Sequence, residues 1–258
     1  MTQVQLSLAK KVALVTGGGT GIGRAIAEKF AMAGATVVVA GRTADTLAEV
    51  AEITGGEAIV ADVTNEKDVG RLFATIKERF GRLDVFVNNA GMSGPIMPIA
   101  DMDIAAWDQC INVNLRGAML CLREAARLMV PQGSGSIINM SSLMGLKGYP
   151  MRAAYSATKF AMIGITESMA REVGPAGVRV NALCPGAISG ELMDKVVTRR
   201  ALAEGKTEAQ IIEEHYTSVA ALRRWVDPEE VADAALFFAS DASSSVTGER
   251  LKVDAGRF

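Results

Sequence analysis

The sequence predicts an α/β fold in which a parallel sheet is covered by helices on both faces. Short runs rich in β-branched residues alternate along the chain with longer amphipathic stretches. The length of 258 residues fits one large α/β domain. No Ser/Gly/Pro-rich linker and no short-period repeat divides the chain. We therefore predict a doubly wound, Rossmann-like sheet in a single domain, residues 1–258.

Six strands are predicted in order, each from a compact apolar run. They cover Val12–Thr16, 36–40, 57–61, Val85–Asn88, Gly135–Met140 and 178–183. Apolar residues at helical spacing predict helices between them, for example over 21–33, 65–80, 105–130 and 153–173. Another helix is predicted to begin at Asp227-Pro228, because Asp is a favoured N-cap and Pro a favoured first residue.

Composition excludes several classes of protein. The chain has 27 Lys+Arg and 29 Asp+Glu, a net charge of −2, which offers no cationic surface for nucleic acid or an anionic membrane. Its apolar runs are far shorter than the roughly 20 residues that span a bilayer. Lys10 and Lys11 follow the short N-terminal apolar stretch, whereas the charged residues of a signal peptide precede it. We expect a cytoplasmic protein without nucleic-acid or membrane partners.

Cysteine and histidine usage narrows the chemistry further. Cys110, Cys121 and Cys184 contain no CxxC pair, which predicts reduced, packed thiols and neither a disulfide framework nor a zinc site. His215 is the one histidine, and no G-x-S-x-G motif is present. A metal site built on several histidines and a Ser-His-Asp hydrolase are therefore not expected.

A glycine-rich segment directly follows the first predicted strand and precedes the first helix. It reads Thr16-Gly17-Gly18-Gly19-Thr20-Gly21-Ile22-Gly23. Glycines permit positive φ and close approach of a pyrophosphate, and the helix N-terminus offers unpaired N–H groups. The G-x-x-x-G-x-G spacing differs from the common G-x-G-x-x-G, and a plain strand–helix turn is the alternative. The position in the chain favours dinucleotide binding.

The end of the second strand indicates which nicotinamide cofactor is preferred. An acid there binds the free ribose 2′-hydroxyl, and a cation binds a 2′-phosphate. Gly41 stands where the acid is expected, and Arg42 follows it. NADP(H) is therefore favoured, NAD(H) is not excluded, and an ordinary solvated Arg42 is the alternative. Asp62, followed by Val63, is predicted either to meet the adenine edge or to cap its strand end.

Tyr155 and Lys159 stand four residues apart on a predicted helix, so both side chains lie on one face. An adjacent ammonium stabilises a phenolate, which makes proton transfer at a substrate oxygen feasible. Ser142, at the end of the fifth strand, can hold that oxygen with its hydroxyl. Ser141 is its competitor, and a Tyr–Lys pair at this spacing also occurs by chance on helix surfaces.

Six motifs, in order and at family spacing, make the chain resemble the classical short-chain dehydrogenase/reductase family over essentially its whole length. They are Thr16-Gly17-x-x-x-Gly21-x-Gly23, Asn88-Asn89-Ala90-Gly91, Asn114, Ser142, Tyr155-x-x-x-Lys159 and Asn181-x-x-x-Pro185-Gly186. The resemblance implies seven strands of order 3-2-1-4-5-6-7, with residues 253–256 closing the last strand. It also implies a homotetramer built partly from the helices that contain Asn114 and Tyr155.

The same resemblance assigns roles to the site residues. Tyr155 is the acid–base group, Lys159 binds the nicotinamide ribose and stabilises the phenolate, Ser142 orients the reacting oxygen, and Asn114 holds a water in the proton relay. Cofactor contacts are implied for Tyr155 and Lys159 and for Gly17, Thr20, Gly21, Ile22, Gly23, Arg42, Asp62, Val63, Asn88, Ala90, Gly91, Pro185, Gly186 and Ile188. Gly190 replaces the usual Thr after Pro185-Gly186, so Ser189 is a candidate for the nicotinamide amide contact.

The expected reaction is hydride transfer between a nicotinamide cofactor and a secondary alcohol or ketone. Segments that the family sets around the substrate carry Met92, Met97, Leu143, Met144, Tyr149, Met151, Arg152 and Met193. Arg152 either meets an anionic substrate group or is a surface residue at a helix start. A 3-oxoacyl-thioester reductase is the alternative and needs a basic patch for its carrier protein. A non-catalytic redox sensor or scaffold is the remote alternative.

The charged stretch at residues 190–225 interrupts the regular alternation of strands and helices. It carries Lys195, Arg199, Arg200, Lys206, Glu208, Glu213, Glu214, Arg223 and Arg224. Its amphipathic helical pattern, directly after the sixth strand, predicts a lid over the ligands. Solvated surface helices without a role are the alternative.

Overall fold

The computed structural model describes residues 6–257, without the side chains of residues 191, 192, 195, 199 and 203. Its centre is a seven-stranded sheet of order β3-β2-β1-β4-β5-β6-β7 in which all neighbouring strands are parallel. The strands are β1 Val12–Thr16, β2 Thr36–Gly41, β3 Glu57–Val60, β4 Val85–Asn88, β5 Gly135–Met140, β6 Val178–Pro185 and β7 Arg250–Val253. The predicted α/β fold class and strand order are confirmed.

Nine α-helices connect and follow the strands in the described part of the chain. They are α1 Gly21–Met32, α2 Ala44–Thr54, α3 Glu66–Phe80, α4 Ile104–Ile111, α5 Ala118–Gln132, α6 Ala153–Val173, α7 Glu191–Glu204, α8 Glu208–Ile212 and α9 Pro228–Ala239. Helices α3, α5 and α6 share one apolar cluster with one face of the sheet. Helices α1, α2 and α9 share a second cluster with the other face.

The central strands are apolar along their whole length because both of their faces are covered. Leu14 and Phe86 pack towards α3 and α5, whereas Val15 and Val87 pack towards α1 and α9. All five residues of β1 are buried. This is the pattern of a parallel sheet between two helical layers, and it aligns the carboxyl ends of the strands along one edge.

The predicted helix over 105–130 is not continuous. Helix α4 ends at Ile111, a π-helical turn covers Asn112–Gly117, and α5 begins at Ala118. Gly117 lies against the end of β3, since a Cβ on it would stand 3.0 Å from Val63 Cγ2 and 3.1 Å from the Val63 carbonyl oxygen. Apolar periodicity alone does not separate a π turn from an α-helix, so this prediction was wrong in its middle.

The predicted closure of the last strand by residues 253–256 is also wrong after Val253. Ala255 and Gly256 have φ of 54° and 75°, in the left-handed region, and a strand cannot continue through them. Asp254 Oδ1 accepts a hydrogen bond from Gly256 N at 2.9 Å and closes a turn instead. The predicted helix start at Asp227-Pro228 is confirmed, with Glu230 accepting from Asp227 N at 3.0 Å.

Cys110, Cys121 and Cys184 are buried free thiols, as predicted. Burial raises the pKa of Cys121 to about 12 and that of Cys184 to about 11. Thiols this hard to ionise are poor nucleophiles at neutral pH, so they are packing residues. Across residues 6–257, no helix has both the length and the apolarity that crossing a membrane requires.

Candidate active site

A cleft of about 210 Å³ opens at the carboxyl edge of the sheet, where the strand order reverses between β1 and β4. Open α/β sheets bind their ligands at this switch point. Its lining combines the glycine turn with the ends of β2, β3 and β4, and consists of Gly17, Gly19, Thr20, Gly41, Arg42, Thr43, Thr46, Leu47, Ala61, Asp62, Val63, Ala90, Gly91 and Val113.

Two glycines make the turn after β1 possible. Gly17 has φ +65°, and a Cβ on Gly23 would stand only 2.1 Å from the Gly17 carbonyl oxygen. Asn89 completes the turn, because its Nδ2 donates to the carbonyl oxygens of Thr16 at 3.0 Å and Gly17 at 3.2 Å. Thr16 Oγ1 accepts from the backbone N–H groups of Asn89 and Ala90 in return. The turn is thereby held open at the N-terminus of α1.

Asp62 caps the turn after β3, which is one of the two alternatives that the sequence left open, and its contact with an adenine edge stays a prediction. It lines the cleft, and its Oδ1 accepts hydrogen bonds from Thr64 N at 2.9 Å and Thr64 Oγ1 at 2.8 Å. The Thr64 backbone hydrogen bond is the main cause that lowers the pKa of Asp62, and the charge of Arg42 adds to it. Arg42 itself is exposed at the end of β2. The cleft therefore carries one carboxylate and one guanidinium.

These residues fit a dinucleotide. The glycine turn offers backbone N–H groups at a helix N-terminus to a pyrophosphate, and Arg42 offers a fork to a phosphate on the adenosine ribose. Six of the predicted cofactor contacts lie outside this lining. Gly21, Ile22 and Gly23 form the start of α1, Pro185 ends β6, and Gly186 and Ile188 follow it. Asn88 points into the protein, where its Nδ2 donates to Asn139 Oδ1 at 3.1 Å.

Tyr155 and Lys159 lie on one face of the first turns of α6, as predicted. Lys159 is 6% exposed, and its Nζ donates to the Met140 carbonyl oxygen at 2.8 Å. The same Nζ is 5.4 Å from the centroid of the Tyr155 ring. The hydrogen bond to the last residue of β5 holds the ammonium next to the Tyr155 ring.

The structure distinguishes Ser142 from Ser141. The Ser141 side chain is buried, and its Oγ donates to the Lys159 carbonyl oxygen at 2.8 Å. Ser142 is partly exposed and accepts a hydrogen bond from Met144 N at 3.2 Å, at the start of the 3-10 turn Leu143–Gly145. Because its hydroxyl proton has no partner among the described residues, Ser142 can donate to a substrate oxygen.

Asn114 lies within the π-helical turn and is 2% exposed. Its Oδ1 accepts from Met92 N at 2.7 Å, and its Nδ2 donates to the Met92 carbonyl oxygen at 2.8 Å. A longer contact, 3.4 Å, joins Nδ2 to Thr158 Oγ1 on α6. Asn114 therefore fixes the loop after β4 next to the helix that carries Tyr155, and its role with a water stays a prediction.

The predicted substrate residues lie on four segments. Met92 is held by Asn114, and Met144 lies in the 3-10 turn that follows Ser142. The Arg152 guanidinium carbon lies 4.9 Å from the centroid of the Tyr155 ring. Met193 lies half-buried in the first turn of α7. Of these four residues, Arg152 is the one with a described contact to Tyr155, and the substrate contacts stay predictions.

The candidate lid, residues 190–225, has a core of its own and is also hydrogen-bonded to the C-terminal turn, for example from Arg257 Nη2 to the His215 carbonyl oxygen at 2.9 Å. Its small core consists of Val197, Ala201 and Ile211. The rings of Tyr216 and Trp225 pack against this core and stack on each other, with 4.8 Å between their centroids. The predicted charges of Lys195 and Arg199 belong to side chains outside the described residues. Ser189, at the base of the lid, donates to Asp227 Oδ1 at 2.5 Å, so its hydroxyl is engaged there.

An ion-pair network closes the outer side of this lid. Glu204 contacts Arg200 at 2.6 Å and Lys206 at 3.2 Å, and Lys206 also contacts Glu214 at 2.5 Å. Arg200 first, and then Lys206, lower the pKa of Glu204 to about 2. Glu204, Glu214 and His215 bring ligand atoms within 4.8 Å of one another. The Arg200 guanidinium and the Lys206 ammonium together compensate these two carboxylates, so ion pairing accounts for the cluster.

Sequence reasoning missed several residues of the site. The cleft is also lined by Thr43, Thr46, Leu47 and Val113. In the sequence, the only indication of these residues is that they lie close to Arg42 or next to Asn114. Gly94 is a further one. It has φ +65°, and a Cβ on it would lie 2.7 Å from Cys110 Sγ and 3.7 Å from Tyr155 Cβ. Gly94 lets the loop after β4 approach the helix of Tyr155, but it belongs to no motif, so the sequence alone did not indicate it.

Comparisons with known proteins agree with this geometry. A family model described as Enoyl-(Acyl carrier protein) reductase matches residues 17–257. A 3beta-hydroxysteroid dehydrogenase of Mediterraneibacter gnavus is 38% identical over 261 residues, covering 96% of this chain and 94% of that protein. A 3-oxoacyl-[acyl-carrier-protein] reductase of Synechocystis sp. is 39% identical over 257 residues, covering 97% and 98%.

A solved structure gives the same result in three dimensions. An NAD+-bound xylitol dehydrogenase, 31% identical, is similar with a TM-score of 0.90 over 96% of this chain and 99% of that chain. The family-model match, residues 17–257, spans the glycines of the turn after β1 and the Tyr155–Lys159 pair. The chain belongs to the short-chain dehydrogenase/reductase family, the nicotinamide-dependent oxidoreductases of alcohols and ketones.

Proposed function

We propose that this enzyme interconverts a secondary alcohol and its ketone with NADP(H) as the preferred cofactor and Tyr155 as the acid–base group. The observation that carries the proposal is the Lys159 ammonium, held by the Met140 carbonyl oxygen at 2.8 Å and 5.4 Å from the Tyr155 ring centroid. A buried cation beside a phenol is an arrangement for moving a proton at neutral pH.

The nicotinamide, when bound, supplies or accepts the hydride at the carbon that bears the reacting oxygen. In the direction of reduction, Tyr155 Oη gives its proton to that oxygen, and Lys159 stabilises the phenolate that remains. Ser142 Oγ donates a hydrogen bond to the same oxygen and fixes its position. Asn114 holds Met92 and thereby the loop beside the reacting groups. Oxidation runs through the same groups in reverse.

The proposal is tested with purified protein, NADPH and NADH, and a panel of ketones and 3-oxoacyl thioesters. Reduction of ketones with NADPH supports it. Absence of cofactor-dependent turnover on the whole panel contradicts it. A 3-oxoacyl-thioester reductase is the second candidate, and one feature favours it.

That feature is a basic cleft of about 400 Å³, which begins directly after Ser142 in the chain. Its lining is Leu143, Leu146, Lys147, Tyr149, Arg250, Lys252 and Arg257. Cationic side chains next to apolar ones suit a phosphopantetheine arm, which carries a phosphate, and the acidic surface of its carrier protein. If thioesters on acyl carrier protein are reduced far faster than the same acyl groups on a small thiol, the second candidate is correct.

Arg42→Ala should weaken NADPH about 30-fold, because a charge-assisted pair with a phosphate is lost, and should change NADH little. Dissociation constants from cofactor fluorescence measure this directly. Arg79→Ala is the matched control, since Arg79 lies on α3, pairs with Glu57 on β3 and is exposed. Equal losses for the two cofactors would make Arg42 a bystander in the choice of cofactor.

We also propose that residues 190–225 close over the bound ligands as a lid. Their separate small core and their position after β6 support a unit that moves as a whole. Amide hydrogen exchange across α7 and α8 should be fast without ligands and slow several-fold with cofactor and a substrate analogue. Equal protection in the two states would make the segment a static surface.

The homotetramer stays a prediction of the family resemblance. Two exposed apolar side chains support it. Met119 lies on α5, the helix that follows the Asn114 turn, and is 42% exposed, and Phe160 lies on α6, the helix of Tyr155, and is 46% exposed.

A further inference from the structure

Arg152 is the cation that lies nearest the Tyr155 ring. Its Cζ is 4.9 Å from the ring centroid, closer than the 5.4 Å of Lys159 Nζ. Arg152 immediately precedes α6 and is only partly exposed. The mechanism proposed above gives this guanidinium no task, although it stands beside the group that transfers the proton.

The charge of Arg152 is poorly compensated. Among the side chains that the structure describes, no carboxylate lies within ion-pair distance of the guanidinium, and its Nη2 donates to the Ser93 carbonyl oxygen at 2.8 Å. Its Nε is buried and has no hydrogen-bond partner among the described residues. Burial lowers the pKa of Arg152, and the charges of Tyr155 and Cys110 act in the opposite direction. Guanidinium stays charged under such conditions, so the site holds a partly buried cation with donors to spare.

The position of Arg152 is rigidly defined. Met151, the residue before it, has φ 63° in the left-handed region, which is strained for a side chain of this size. The Met151 carbonyl oxygen accepts from Met97 N at 3.0 Å. Together with the Arg152–Ser93 hydrogen bond, this ties both residues to the loop after β4 that Asn114 also holds. The strained backbone of Met151 and the desolvated guanidinium of Arg152 therefore lie side by side, next to Tyr155.

We infer that Arg152 binds a carboxylate of the substrate, so that the preferred substrates are short hydroxy acids and their oxo acids. The inference rests on the proposed function, because it names the substrate class of that same site. A carboxylate would pair with the planar guanidinium through Nη1, for which the described residues offer no acceptor. Since Arg152 lies against the Tyr155 ring, the carboxylate stands close to the carbon that exchanges the hydride.

The test compares matched acids and esters. 2-Oxobutanoate, 3-oxobutanoate and 4-oxopentanoate are each assayed against their methyl esters, which keep the shape and lose the charge. The wild-type enzyme should prefer the acid in at least one pair. Arg152→Met should lower the acid-to-ester ratio of kcat/KM about 30-fold for that pair, mainly through KM, and Arg152→Lys should restore part of it. Arg79→Met removes an exposed charge on α3 and should leave the ratio unchanged.

Two further measurements separate this role from a structural one. Simple carboxylates such as acetate should inhibit the reduction of an ester by the wild-type enzyme and should lose this effect in Arg152→Met. The melting temperature of Arg152→Met should not fall, because a poorly compensated charge leaves the interior. A lower melting temperature with equal losses for acid and ester would overturn the inference.

Failure of this inference is distinguishable from failure of the proposed function. If the wild-type enzyme reduces esters as well as acids in every pair, Arg152 does not select substrates, and the alcohol–ketone activity stands. If neither acids, esters nor other ketones are reduced with either cofactor, the proposed function itself has failed.

Discussion

Tyr155→Phe should lower kcat about 10³-fold, because the variant keeps the ring and loses the proton that moves to the substrate oxygen. Cofactor binding should stay nearly intact, since the substitution removes one hydroxyl from a helix whose packing is otherwise unchanged. Steady-state kinetics with the best ketone of the panel, and cofactor titration by fluorescence, measure the two quantities separately.

Tyr216→Phe is the control for this experiment. Tyr216 loses the same hydroxyl but stacks on Trp225 in the lid core. Its kcat should remain within a few-fold of wild type. If Tyr155→Phe keeps more than a few per cent of the wild-type rate, another group transfers the proton, and the assigned role of Tyr155 is wrong.

Gly23→Ala should abolish cofactor binding and lower the free energy of unfolding by about 3 kcal/mol, as overpacking of a rigid site does. The added methyl group would stand 2.1 Å from the Gly17 carbonyl oxygen and 2.7 Å from Asn89 Nδ2. The first contact is backbone, so the turn after β1 must move away from α1. Thermal unfolding and cofactor titration together report both effects.

Gly70→Ala is the matched substitution for this turn. Gly70 lies within α3, and nothing stands within 4 Å of a Cβ built on it. Alanine in a helix interior is favoured over glycine by about 1 kcal/mol, so this variant should be more stable than wild type. If the Gly23→Ala protein binds cofactor normally, the turn tolerates a side chain at this position, and the close approach of Gly23 to the Gly17 carbonyl oxygen is not required for cofactor binding.

The central strands were predictable because buried parallel strands are apolar along their whole length, whereas the order of the sheet came from the family resemblance alone. Val12–Thr16 and Val85–Asn88 were predicted with correct bounds for this reason. The end of β7 was not, because the strand stops at Val253 where the left-handed residues Ala255 and Gly256 follow Asp254 and turn the chain. Hydrophobic pattern reports burial, and it carries little information on backbone handedness.

The site was predictable where residue type carries the chemistry, as for Tyr155, Lys159 and the glycine turn. It was not predictable where only packing decides. The sequence does not show that Ser141 turns its hydroxyl to the Lys159 carbonyl oxygen while Ser142 stays partly exposed. The sequence also does not decide whether Arg152 is a surface residue or a substrate contact, because this depends on which loop packs against it.

The π-helical turn at Asn112–Gly117 makes this part of the enzyme sensitive to chain length. A π turn holds one residue more than an α-helical turn, and each α-helical residue advances the helix by about 100°. Deleting one residue here would let α4 and α5 join as one regular helix and would rotate Asn114 away from Met92. Point substitutions on the exposed side of this turn leave that register intact. Insertions and deletions, even of alanine, would disassemble the loop beside the reacting groups.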